Sequence, residues 1–424
     1  MTDQAVATAG WDTAAGPVDV LAELMRPEVL YDPYPFYRWL REELPVHRHR
    51  SGSYVLTRHA DVLWMFQSPQ LRAPEQADLA ASFPRLVPHR SFQMLTGTLA
   101  VANPPRHTRL RRLISRNFTT TMVAGLQPKI QAACDELLAG LAGPLRGGEV
   151  VDLHAGLSRP LSQLVIADLI GLDPADRPAL TPLVTSMMHA TNPAATEAML
   201  VEADHATEEL SEYYRGLIGR RRAEPREDMI SALAAVQDDD AQRLTEDELM
   251  SWLWGLWLAG FETSANGLDS GTLIMMGHPD QTNWLHEGPA EVTAYVNECL
   301  RYEPPNMLTG VPRTATEDIE VSGTVIVAGA DVRALPGCAN RDPLAFDDPD
   351  RFDPSRDTSA TVTFGHGIHY CLGAQLARTI MGTALPRLNT MFPTLTAAEP
   401  PVRRRALPLR AFDRLGVALD GSRG

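Results

Sequence analysis

The 424-residue chain predicts a mainly α protein with a small β-rich part, and three observations carry that expectation. The pattern from Glu246 to Met276 is the longest helical one, and its centre, Trp252-Leu253-Trp254-Gly255-Leu256-Trp257-Leu258-Ala259-Gly260-Phe261, is nearly all apolar. A helix that is apolar all round lies in the core of a large protein. Residues 120–250 read as mostly helical, clearest from Gln131 to Leu141 and from Ala203 to Arg222. The β-type stretches are short by comparison: Ser53 to Thr57 after the Ser51-Gly52 turn, then Ile319-Glu320-Val321 and Thr324-Val325-Ile326 joined by Ser322-Gly323, and a β-like tail.

Taken in order, residues 1–30 form a polar, Ala-rich N-terminal segment, expected to fray at its start. Asp32-Pro33-Tyr34-Pro35-Phe36 leads into a short helix, Tyr37 to Glu43. Residues 72–100 show no sustained period and read as a long loop with one helical turn. Loops of that length in compact proteins are often binding segments. Asn103-Pro104-Pro105-Arg106 opens a helix, with prolines at its start. His107 and Arg111, four apart, share one face of it. They could clamp an anion, although a solvated basic face is the ordinary reading. The charge runs Arg220-Arg221-Arg222 and Asp238-Asp239-Asp240 read as solvated ends and loops.

Within the long apolar helix, Glu262-Thr263-Ser264 breaks the pattern just after Gly260. A carboxylate there is costly unless paired or hydrated. The ordinary reading is a kink with a local hydrogen bond. The functional one is an acid and a hydroxyl placed to relay protons beside a reacting centre. Glu291 to Tyr302 is a further helix, on which Glu298 and Arg301 can pair at three-residue spacing. Ala339 to Arg356 is irregular and rich in Pro and Asp, and a last helix runs from Leu372 to Met391.

Formal net charge is −15, which argues against binding nucleic acid by bulk charge. Cys134, Cys299, Cys338 and Cys371 are far apart and include no C-x-x-C pair, a usage that suits a reducing cytosol. The N-terminus lacks a basic segment followed by an apolar one, so no signal peptide is expected. The longest strongly apolar run, Trp252 to Phe261, falls short of the ~20 residues that span a bilayer. A soluble, cytoplasmic protein with no membrane segment is therefore expected.

The stretch Thr363-Phe364-Gly365-His366-Gly367-Ile368-His369-Tyr370-Cys371-Leu372-Gly373 sets one cysteine among glycines at the start of a helix. Glycines allow close approach to a flat or bulky object. The helix N-terminus favours the thiolate, which could ligate a metal or act as a nucleophile. A buried, inert cysteine is the plain alternative. Zinc on His366, His369 and Cys371 lacks a fourth ligand nearby. A nucleophilic Cys371 with His369 as base suffers from poor geometry along an extended loop.

These motifs together resemble a bacterial cytochrome P-450, a haem-thiolate monooxygenase. The cysteine stretch matches F-G-x-G-x-H-x-C-x-G at every defined position, and Ala259-Gly260-Phe261-Glu262-Thr263 matches A-G-x-[DE]-T. Glu298-x-x-Arg301 matches E-x-x-R, and Phe346 through Phe352 matches the segment that supplies a further arginine, Arg351. All four occur in family order, over a resemblance running from about residue 30 to the C-terminus.

The resemblance implies the cytochrome P-450 fold as one domain over residues 31–424, with heme b (iron protoporphyrin IX) as cofactor. It implies Cys371 as the iron ligand, with Phe364, Gly365 and Gly373 lying against the haem. His107, Arg111, Arg313 and His369 match positions that bind the propionates. Ala259 and Gly260 would lie over the opposite haem face, and Glu262 and Thr263 would deliver protons to the reacting oxygen. Glu298, Arg301 and Arg351 would form a structural ion cluster. Electrons would come from a ferredoxin and its NAD(P)H-dependent reductase, with Arg112 and Arg116 offered as a docking patch. Expected pocket walls are residues 72–100, Met187-Met188, Leu256 to Thr263, Pro305 to Thr309 and Arg410 to Leu415, largely apolar with scattered Asn, Thr and Arg. They suit a medium-sized or large apolar small-molecule substrate, such as a natural product tailored in secondary metabolism. Xenobiotic or fatty-acid hydroxylation and a non-catalytic haem-binding scaffold are the alternatives.

Overall fold

The computed structural model describes residues 11, 18–115, 118–192, 195–238 and 244–421. Its longest element is the helix Glu246–Gly277, which starts where the sequence supplies a capping box. The Thr245 hydroxyl accepts from the Glu248 N–H, and the Glu248 carboxylate accepts from the Thr245 N–H. Arg106 and Arg109 also pair with Glu248, tying helix Arg106–Ser115 to this start. Helices Arg159–Ile170, Glu197–Ala223, Pro289–Tyr302 and Ala374–Met391 pack against the long helix. Thr120–Arg146 closes the bundle against Arg159–Ile170 and Ala374–Met391. Their buried Leu, Ile, Val, Met and Trp side chains form the largest core cluster. No helix among the described residues is long and apolar enough to cross a membrane.

The β part is small. Strands Val46–Arg48, Tyr54–Leu56, Asp331–Ala334, Arg313–Ala315 and Leu71–Arg72 lie in that order in one sheet. Among the described residues of this sheet, only Tyr54–Leu56 and Asp331–Ala334 pair in parallel. The expected hairpin Ile319–Val321/Thr324–Ile326 forms, with Ser322 (φ 48°) and Gly323 (φ 78°) in its turn. In the tail, Gly416–Leu419 runs between Val151–Asp152 and Leu395–Ala397, and Val402–Arg403 pairs with Phe412–Arg414.

Three expectations are corrected. Ordered packing starts before residue 31: helices Val20–Glu23 and Pro27–Tyr31 bury Val20, Leu24, Val29 and Leu30 against Phe36, Tyr37, Met307 and Leu308. Eight of the twelve residues from Val20 to Tyr31 are apolar, but Arg26-Pro27 splits them into two helices too short to show a sustained period. Residues 72–100 are less irregular than expected, since they hold helices Gln76–Ser82 and Arg90–Thr96 and a 3₁₀ turn Leu99–Val101. Each is two turns or fewer, below the length at which periodicity is visible.

The third correction concerns the ion cluster. Glu298 and Arg301 are both fully buried and share two bonds of 2.7 Å. Arg351 does not join them through its side chain, which pairs at the surface with Asp348 and Asp353. Its backbone carbonyl accepts from Arg301 instead (3.3 Å). The arginine that reaches Glu298 is Arg356, at 3.4 Å. Arg351 stands in an Asp-Pro-Asp-Arg-Phe-Asp run, where closer carboxylates capture it.

Candidate active site

The cysteine loop hangs from two buried anchors. Asn340 donates from Nδ2 to the Thr363 hydroxyl (2.8 Å) and accepts on Oδ1 from the Val362 N–H (2.9 Å). The Thr363 hydroxyl donates to the Leu300 carbonyl (2.7 Å), on the same helix as Glu298 and Arg301. The buried ion cluster therefore fixes the base of the loop. Gly365 and Gly367 both adopt φ near +70° (68° and 69°), the left-handed region where a side chain is strained. A Cβ on Gly367 would also stand 2.5 Å from the Phe66 carbonyl oxygen. Gly373 has an ordinary φ of −83°, and its N–H is aimed at the Cys371 sulfur.

Cys371 is deeply set among protein atoms yet accessible. Burial pushes its thiol up, and the N–H groups of Gly373 and Ala374 and the charges of Arg111 and Arg378 act against that. The Arg378 guanidinium lies 4.6 Å over the Phe364 ring, with Nε donating to Asn297 (2.7 Å). On this side Phe364, His366, Tyr370 and Arg378 border an open cavity of about 150 Å³.

His107 and Arg111 from helix Arg106–Ser115, Arg313 at a strand start and His369 from the loop come together. The rings of His107 and His369 are 4.3 Å apart. Burial, then Arg313, His107 and Arg111, push the His369 imidazole down to about 3. Burial brings Arg313 down to about 10. His107 Nε2 and one Arg313 nitrogen, Nη1, are buried without a protein partner. Among the described residues no carboxylate forms an ion pair with His107, Arg111, Arg313 or His369. Two arginines and two histidines, with unpartnered nitrogens on His107 and Arg313, are the counterpart of an anion. Arg112 is exposed on the same helix, and Arg116 lies outside the described residues.

On the long helix Ala259 is exposed although the neighbouring turns are buried. The Thr263 hydroxyl donates to its carbonyl (2.5 Å). Gly260 has a different neighbour: a Cβ there would stand 2.4 Å from Ile166 Cδ1, so its missing side chain serves packing with helix Arg159–Ile170. Glu262 points elsewhere and accepts from Arg404 (2.8 Å), which also pairs with Asp413 (2.9 Å). Of the expected pocket walls, Arg410 is taken up by Glu303 and the carbonyls of Leu30 and Tyr31. Among the described residues no three His, Cys, Asp or Glu side chains are grouped to hold a metal ion, and His369 faces His107.

Sequence reasoning missed Asn340, Arg356, Arg404 and a buried pair, His154 and Asp269. Only Asp269 carried a signal, as a second carboxylate in the apolar helix seven residues after Glu262.

Known proteins resemble this chain in sequence and in fold. A sequence model described as Cytochrome P450 matches residues 76–395. Cytochrome P450 BJ-3 of Bradyrhizobium diazoefficiens is 43% identical over 420 residues, covering 96% of this chain and 98% of that protein. The 6-deoxyerythronolide B hydroxylase of Saccharopolyspora erythraea is 38% identical over 329 residues, 76% of this chain and 78% of that one. The crystal structure of P450BioI in complex with hexadec-9Z-enoic acid ligated acyl carrier protein superposes with a TM-score of 0.82 at 31% identity, covering 93% of this chain and all (100%) of that one. The chain belongs to the cytochrome P450 family of haem b monooxygenases.

Proposed function

We propose that this monooxygenase hydroxylates or epoxidises a largely apolar natural product in bacterial secondary metabolism. A ferredoxin and its NAD(P)H-dependent reductase would supply the electrons, in the cytoplasm. The observation that carries the site assignment is the basic cluster of His107, Arg111, Arg313 and His369 with its idle donors. Two haem propionates are the anions that fit it. Cys371 would hold the iron, with Phe364, Gly365 and Gly373 beside the ring and Ala259 and Gly260 on the helix that faces it. When bound, the haem supplies the oxygen chemistry, with the thiolate favouring O–O cleavage.

The protein's own share is to bind, to exclude water and to move protons. The N–H groups of Gly373 and Ala374 stabilise charge on the Cys371 sulfur. Thr263, anchored by its bond to the Ala259 carbonyl, keeps lone pairs free to accept a hydrogen bond from the reacting group. Inserting one oxygen atom and releasing the other as water consumes two protons per turnover. Glu262 is the acid nearest Thr263 in sequence. It is half-buried and held by Arg404, so it delivers a proton only after leaving that partner.

The similarity to 6-deoxyerythronolide B hydroxylase favours a polyketide-like substrate. The likeness to P450BioI, whose structure holds a fatty acyl chain on a carrier protein, favours a fatty-acid reading second. A spin-state titration with 6-deoxyerythronolide B and hexadec-9Z-enoic acid separates them. A shift with the macrolide precursor is expected; a shift with the fatty acid alone would replace the first reading by the second.

A further inference from the structure

Glu262, Asn266 and Asp269 stand at i, i+4 and i+7 of the long helix and form one polar stripe. The π-helical turn His154–Ser158 packs on that helix, and strand Phe412–Arg414 packs on the turn. The stripe is built, not incidental. Asn266 donates to the Glu262 carbonyl (2.7 Å) and accepts from the Phe412 N–H (2.8 Å), which fixes its amide. Asp269 is fully buried (0% exposed), with Oδ2 2.6 Å from His154 Nδ1 and the Ser158 hydroxyl beside the same carboxylate. A buried acid–base pair is costly to keep where an apolar pair would pack as well.

Engaging Nδ1 leaves Nε2 as the free nitrogen of His154. His154 also borders a small, partly open cavity shared with Arg159, Glu262, Asn266 and Arg404. Its volume is about 10 Å³, the room that one water molecule needs. An imidazole oriented by a buried carboxylate, one water away from a second carboxylate, has the arrangement of a proton relay.

We propose that His154, oriented by Asp269, returns to Glu262 the proton that Glu262 gives up in each turnover. The proposal rests on the reading of Glu262 as proton donor given above. The imidazolium passes its Nε2 proton to the cavity water, and that water passes one of its own protons to the Glu262 carboxylate. The imidazole is left neutral, still donating from Nδ1 to Asp269, and takes its next proton from solvent at the 9% of its side chain that stays exposed. One proton is gained and one lost, and no electron moves. Asp413 gives Arg404 a second carboxylate to hold when Glu262 becomes neutral. His154 acts through Glu262 and is a positioning residue, not one that touches substrate or haem.

The test uses the full-length haem-loaded protein with a surrogate ferredoxin and reductase. The substrate probe is whichever of 6-deoxyerythronolide B and hexadec-9Z-enoic acid gives the larger spin shift. Product formed per NAD(P)H consumed is measured in H₂O and D₂O for Glu262→Gln, His154→Gln, Asp269→Asn and the double variant His154→Gln/Glu262→Gln. Glu262→Gln is expected to lower this coupling roughly 10-fold or more. His154→Gln and Asp269→Asn should each lower it about 3- to 10-fold and raise the solvent isotope effect, with the reduced carbon-monoxide spectrum unchanged. In the Glu262→Gln background, His154→Gln should add nothing. Wild-type coupling in both His154→Gln and Asp269→Asn, with loss in Glu262→Gln, overturns the relay and leaves the Glu262 reading standing. Additive losses in the double variant overturn the relay in favour of a structural role. Wild-type coupling in Glu262→Gln overturns the reading on which the relay rests. Should His154→Gln fail to retain haem, His154→Asn carries the same measurement.

Discussion

Replacing Arg356 and Arg351 by alanine, one at a time, separates two accounts of what holds the cysteine loop in place. Glu298 and Arg301 are both fully buried. Arg301 also donates to the carbonyls of Asn340 and Pro349, each at 2.9 Å, and of Arg351 at 3.3 Å. Glu298 accepts in addition from the Asp353 N–H (3.0 Å) and from Arg356 (3.4 Å). The Arg356 side chain is 10% exposed and also donates to the carbonyls of Asp347 and Asp348. Arg356→Ala thus removes one charged partner from the fully buried Glu298 carboxylate, at a cost of about 2–3 kcal/mol, while the exposed carbonyls it also serves pass to water. The Arg351 side chain is 64% exposed, and its loss should cost under about 1 kcal/mol. Glu298→Ala sets the upper mark at about 3–5 kcal/mol, because it leaves the Arg301 charge buried and unpaired. Urea unfolding of the haem-loaded protein, followed by far-UV circular dichroism, reads all three as midpoint shifts. Equal shifts for Arg351→Ala and Arg356→Ala would refute the assignment of Arg356 to the cluster.

Other expectations follow from the same geometry. Burial raises the Glu248 carboxyl, but Arg109, the Thr245 N–H and Arg106 outweigh it and hold the group below its usual range. A lowered acid stabilises the fold above its unfolded value and loses that contribution as pH falls through the folded one. Glu248→Gln should therefore cost about 1 kcal/mol at neutral pH and nothing well below the ordinary carboxylate pKa of about 4.3, read by melts across pH. Gly260→Ala drives a methyl into Ile166 and should cost about 1–3 kcal/mol, whereas in an Ile166→Ala background the same change should cost under about 1 kcal/mol, read by thermal melts of the single and double variants. Arg313→Leu should speed haem transfer to apomyoglobin several-fold without changing the thiolate spectrum; an unchanged transfer rate would take Arg313 out of the propionate site.

The helical frame was legible because its longest elements carry strong, sustained patterns. Glu246–Gly277 was expected within one residue at its end, and the hairpin at Ser322-Gly323 was expected in full. What stayed hidden was short or non-local. Helices Gln76–Ser82 and Arg90–Thr96 offer too few turns to show a period. Arg356 and Arg351 are five residues apart in one irregular segment, and only the path of the chain decides which reaches Glu298. The candidate site residues come from matched motifs and family positions, whereas Arg404 and His154 lie in no motif. They meet Glu262 and Asp269 from strands and turns more than a hundred residues away in sequence.

The most direct measurement is the reduced, carbon-monoxide-bound absorption spectrum of the purified protein beside Cys371→Ser. The wild-type chain should show the red-shifted Soret band typical of thiolate-ligated haem, and Cys371→Ser should lose it. The same band in Cys371→Ser, or no haem absorbance from the wild-type chain after reconstitution, would contradict the assignment of Cys371 as the iron ligand.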